Sequence, residues 1–123
     1  MQSENSAVLF PQLLQVELHD GETVVALRIP ETLEYFNGHF DEIAVVPGVV
    51  QIQWAVHFAR HYLPIAGAFS HMDAVKFKEL LLPGLSLALH LRCVDGGRKL
   101  EFCYRCEHAE YSSGRIYFHD STL

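Results

Sequence analysis

No stretch of the 123 residues is apolar for long enough to cross a bilayer, which takes about 20 consecutive apolar residues. The opening MQSENSAVLF lacks the basic run and apolar core of a secretory leader. Basic residues are scarce. Nine Lys and Arg face fifteen Asp and Glu, a net charge of -6, which counts against nucleic-acid binding because phosphate recognition needs clustered cations. An acidic partner would have to be met by a local basic patch. Three cysteines, an odd number, give no disulfide framework. These absences together predict a reduced, cytoplasmic protein. Cys103 and Cys106 form a lone C-x-x-C with no second pair to complete a metal site. They lie in KLEFCYRCEH, which alternates like a strand, and strand positions three apart face opposite sides. No metal and no cofactor are expected.

What is present describes one globular domain, residues 1–123, with residues 1–10 loosely ordered. Half the residues are apolar and a fifth charged, a balance that folds. PQLLQVELHDGETVVALRI reads as two strands around an Asp20-Gly21 turn. Pro47 suits the first position of a helix, where a missing N–H costs nothing, and Pro64 closes it after about Leu63. Val49, Val50, Ile52, Ala55, Val56, Phe58, Ala59 and Tyr62 cover most of its circumference, so a buried helix is expected. Trp54, Phe58 and Tyr62 recur at helical spacing and read as core. SHMDAVKFKEL, LSLALHLRCV, KLEFCYRCEH and AEYSSGRIYFHD then alternate as strands, separated by LLPG and DGGR turns. The sum is α+β: about six antiparallel strands and one long buried helix in two layers.

The segment YFNGHFDEIAVVPGVVQIQWA joins this pattern to chemistry. Gly38-His39-Phe40, followed by Val45-Val46-Pro47-Gly48-Val49-Val50, resembles the G-H-F … P-G-V motif of bacterial 3-hydroxyacyl-(acyl carrier protein) dehydratases. VKFKELLLPG, residues 75–84, is similar to a second strand motif of that family. VVPGVVQIQWA is most similar to the small ApeI-like dehydratases of aryl-polyene gene clusters. The resemblance spans about residues 35–92. It implies the hot-dog fold, in which the sheet wraps around the central helix, and a dimer with two tunnels at the interface. The homodimer and a heteromer with another hot-dog subunit are both open. Each tunnel would take an acyl chain on acyl carrier protein or coenzyme A.

The resemblance assigns roles that the residue types can fill. His39 would take the proton from the carbon beside the thioester carbonyl, since imidazole titrates near neutral pH and an apolar tunnel keeps it neutral. The Gly48 amide would hold the carbonyl oxygen as it becomes an oxyanion, because a helix start offers free N–H groups and partial positive charge. Phe36, Phe40, Val49 and His57 are candidate tunnel and substrate contacts. Lys76 and Lys78 are candidates for docking an acidic carrier, as are Arg60 and Arg92, although alternating lysines on a strand also serve to protect an edge.

Gln53 departs from the family pattern. It occupies the place, fourteen residues after His39, where the resemblance implies Glu or Asp, and an amide neither donates nor accepts a proton usefully near neutral pH. Three outcomes stay open. His39 performs both proton transfers with Gln53 orienting the hydroxyl; or Asp41, Glu42, Glu34 or His57, one helical turn beyond Gln53, substitutes; or the chain binds acyl groups without turning them over. A hot-dog thioesterase is a further alternative that fits the motif less well.

Overall fold

The computed structural model describes residues 7–36 and 44–120. Among them are six strands, β1 (Gln12–His19), β2 (Glu22–Arg28), β3 (Phe69–Phe77), β4 (Ser86–Val94), β5 (Lys99–Arg105) and β6 (Glu110–Phe118), and one α-helix, α1 (Gly48–Tyr62). The strands form a single antiparallel sheet in the order β1-β2-β4-β5-β6-β3. The chain thus leaves β2 on one side, passes through α1, and enters the opposite edge as β3. This is the expected α+β architecture, one sheet around one helix.

β2, β4 and β5 form where buried and less buried residues alternate. Val25 and Leu27 of β2 face inward with Leu100, Phe102 and Tyr104 of β5, while their neighbours are half-buried on the outer face. Burying one such side chain stabilises by about 1.5–3 kcal/mol. At the first turn Asp20 (φ 51) and Gly21 (φ 78) are both left-handed, the two-residue geometry that matches the twist of paired strands. β3 carries a bulge between Asp73 and Lys76, with Ala74 at φ 54.

Pro47 stands one place earlier than the sequence pattern predicts. It is the residue before the helix, at φ -60 and ψ 148, and its carbonyl accepts the N–H groups of Val50 (3.0 Å) and Gln51 (3.1 Å). At the far end the Leu63 N–H donates to the Ala59 carbonyl at 2.7 Å, and Pro64 prevents continuation.

Two features refine the surroundings of the helix. The helix is not covered all round. Val50, Gln51, Trp54, Ala55, Phe58 and Ala59 are buried, but Val49 is 63% exposed and Tyr62 36%, because one sheet covers one side of a cylinder. Residues 8–10 make contacts with the rest of the chain. Val8 bridges to Leu33, and its carbonyl accepts the Glu34 N–H at 2.8 Å. The Trp54 indole N–H donates to the Leu9 carbonyl at 2.9 Å, and the Phe10 ring lies 4.5 Å from that of His57. Buried Trp finds a partner for its N–H, and here the N-terminal segment supplies it.

Candidate active site

The site is built around the entry to α1. Val46 is buried, and its N–H donates to the Leu81 carbonyl at 2.9 Å, tying the entry to the loop before β4. Pro47 contributes neither an N–H nor a capping oxygen from its side chain to the helix start. The first N–H groups of a helix have no partner within it; those of Val50 and Gln51 turn back to the Pro47 carbonyl, and those of Gly48 and Val49 are the two at the very start of α1.

Gly48 lies close against the Phe77 ring. A β-carbon there would lie 2.7 Å from Cζ of Phe77 and 2.9 Å from its Cε1. Phe77 ends β3 and is 52% exposed, and its ring lies over the helix start. With Phe77 turned aside, a carbonyl oxygen can approach the Gly48 amide with no side chain of residue 48 in the way. Hydrogen-bond donors aimed at a developing oxyanion are worth about 3–4 kcal/mol of barrier in enzymes that use them.

Two glutamines follow in the same helix. Gln51 is 4% exposed. Its side-chain N–H donates to the Val46 carbonyl at 3.0 Å, and its side-chain oxygen accepts the Ser112 hydroxyl at 2.6 Å. The Gln51 backbone carbonyl accepts the Tyr104 hydroxyl at 2.7 Å. Ser112 and Tyr104 are completely buried, and burial pushes the Tyr104 phenol well above its ordinary pKa. Gln53 is exposed and shares a helical stripe with Val49 and His57. His57 sits between Phe10 and Phe58, 4.5 and 5.1 Å from their ring centres.

The sequence matches the ApeI-like family, described as ApeI dehydratase, over residues 15–115. The chain belongs to the ApeI-like dehydratase family. It is 31% identical to a chain of the dehydratase heterocomplex ApeI:P from Xenorhabdus doucetiae, with a TM-score of 0.81 over 90% of this chain and 99% of that one. An uncharacterized protein from Erwinia carotovora subsp. atroseptica superposes with a TM-score of 0.76 at 29% identity, covering 91% of this chain and 98% of that one. The 3-hydroxyacyl-[acyl-carrier-protein] dehydratase FabZ of Ruminiclostridium cellulolyticum is 32% identical over 82 residues, which are 60% of this chain and 58% of that protein. The chain therefore spans a little over half the length of that relative. These likenesses make the sheet and helix a hot-dog fold.

The other residues singled out by the dehydratase motif fall in three groups. His39 and Phe40, with Gly38, Asp41 and Glu42, lie outside the described residues. Phe36 is half-buried against the core, in a 3-10 turn at Glu34–Phe36. Lys76 and Lys78 are exposed on and just after β3. Lys78 pairs with Glu110 at 3.1 Å, and its hydrogen bond holds that carboxyl below the usual range. Lys76 lines a shallow cleft of about 260 Å³ with Ala74, Glu101, Ser113 and Arg115. Arg92 lies 4.0 Å from Glu101, and Arg60 is over the Phe118 ring.

Of the two C-x-x-C thiols, Cys103 is on the outer face of β5, opposite His90, and burial pushes its pKa up. Cys106 lies beyond the strand against the core, 3.5 Å from the Tyr111 hydroxyl. That contact lowers the thiol and pushes the phenol up to about 12. Both cysteines are free.

The sequence pattern overlooked Gln51, Ser112 and Phe77. A signal for Gln51 existed. It shares a helical face with Ala55 and Phe58, so a polar residue interrupts the apolar stripe.

Proposed function

We propose that this chain removes water from a 3-hydroxyacyl thioester, carried on acyl carrier protein or coenzyme A, to give the 2-enoyl thioester in fatty-acid-like or aryl-polyene assembly in the cytoplasm. The observation that carries the proposal is the start of α1 at Gly48, preceded by a proline with no capping side chain and lying under the Phe77 ring, in a chain of a dehydratase family. The Gly48 amide binds the thioester oxygen. His39 takes the proton from C2, the C2–C3 double bond forms as the C3–O bond breaks, and the same proton leaves with the hydroxyl as water. Gln53 hydrogen-bonds the departing hydroxyl and orients it. No cofactor enters the balance.

The stripe of Val49, Gln53 and His57 faces outward in the single chain, so the tunnel needs a second wall. A second hot-dog chain supplies it, a copy of this one or a different subunit, as the likeness to a heterocomplex supports. Lys76 and Lys78 are then the cations offered to an acidic carrier.

A second reading is favoured by Gln53 itself. An amide where the resemblance implies an acid suits an acyl-binding subunit of low activity. Purified protein with a 3-hydroxyacyl thioester separates the two. Formation of the enoyl product, reduced by at least about 10² in His39→Ala, supports the dehydratase. Tight thioester binding with no enoyl product and no free thiol supports the binding subunit and sinks the first reading.

A further inference from the structure

Val46, two residues before Gly48, is held from both sides. The Val46 N–H is taken by Leu81, and its carbonyl by the side chain of Gln51. Pro47, which follows, has no N–H to offer. A helix whose preceding residue is Ser or Asp is fixed at its start by that residue's own oxygen. With Pro47 in that place the fixing contact comes from inside the helix, from Gln51 reaching back five residues. The orientation of the amide is determined by its partners. The Val46 carbonyl can only accept, so the NH₂ faces it, and the Ser112 hydroxyl donates to the remaining oxygen. Tyr104 anchors the Gln51 carbonyl from β5. All three side chains are buried, where an unmatched polar atom is costly. An aliphatic side chain would fill the same space without that demand. What the amide adds is a grip on the turn that aims the Gly48 N–H.

We propose that Gln51 is a positioning residue for the oxyanion site, with Ser112 orienting its amide. Gln51 touches no substrate. It fixes Val46-Pro47-Gly48 so that the Gly48 amide meets the thioester oxygen as charge develops, in a reaction where about 1 Å of misplacement costs on the order of 10² in rate. The inference rests on the dehydratase reading, and its tests include one that needs no substrate.

The first test is hydrogen exchange on the unliganded protein. In Gln51→Met, protection of the Val46 and Val50 amides should fall at least about tenfold beyond any change in β4 and β5. Protection that falls only in step with β4 and β5 overturns the proposal. The second test is Gln51→Glu. Burial raises the pKa of the new carboxyl. Its protonated form donates to Val46 and accepts from Ser112 as the amide does; its ionised form cannot donate. Protection at Val46 and Val50 should therefore return as pH is lowered through that pKa and be lost as pH rises, with wild type flat over the same range. A pH-independent defect overturns the assignment. The third test is kinetic. Gln51→Met should lower kcat by about 10² with KM within about twofold. Ser112→Ala, which removes a single oxygen atom, should lower kcat by about tenfold. Wild-type turnover with unaltered kcat in both variants refutes positioning. Absence of turnover in wild type refutes the dehydratase reading instead, and the exchange results then decide whether Gln51 holds the turn.

Discussion

Gln51 and Gln53 are the same residue two positions apart on one helix, and they face opposite worlds. Gln51 is buried and holds the Val46 carbonyl and the Ser112 hydroxyl. Gln53 is exposed, on the stripe with Val49 and His57. A helix turns through about 200° in two residues, so the fold converts a two-residue step into a change of role. The inner face of α1 is committed to holding the chain together. The outer face is free to do chemistry, provided something closes over it.

The comparison breaks most readily on the inner face. Trp54→Ala removes a buried ring and its bond to Leu9 and should cost about 3–5 kcal/mol, read as a lowered urea midpoint at fixed protein concentration. A loss under about 1 kcal/mol would mean that the inner face is not the structural one. The outer face should respond in rate alone. Gln53→Leu should lower kcat by about 10² while the unfolding free energy stays within about 0.5 kcal/mol. A stability loss as large as that of an inner-face variant would erase the distinction. The smallest effect is expected away from both faces. Lys78→Ala breaks an exposed pair with Glu110 and should change stability by less than about 1 kcal/mol. Because Lys78 holds the Glu110 carboxyl low, that contribution is present at neutral pH and lost in acid as the carboxyl protonates. It also shrinks with added salt. If Lys78 docks the carrier, the same variant raises KM for the carrier-bound substrate and leaves KM for the coenzyme A thioester unchanged.

Most of the fold was legible because it is written in local periodicity. The strands lie where residues alternate, and α1 differs from its expected span by a residue at each end. The helix start was misplaced by one because a proline suits both the first helical position and the place before it. What escaped were bonds between distant residues. Ser112 reaches Gln51 across 61 positions, and Trp54 reaches Leu9 across 45; neither leaves a local pattern. Counting apolar positions along α1 also passed over the polar ones, which hid Gln51. The start of α1 at Gly48 was legible to within one residue, whereas the Phe77 ring lying over it follows from where β3 ends.

The strap formed by Val8, Leu9 and Phe10 limits how far the protein can be shortened. A chain trimmed to begin at Pro11 strands the indole N–H of Trp54 without its carbonyl and strips one aromatic wall from His57. Trimming at the front end would thus loosen the middle of the helix, far from the cut in sequence and adjacent to it in space.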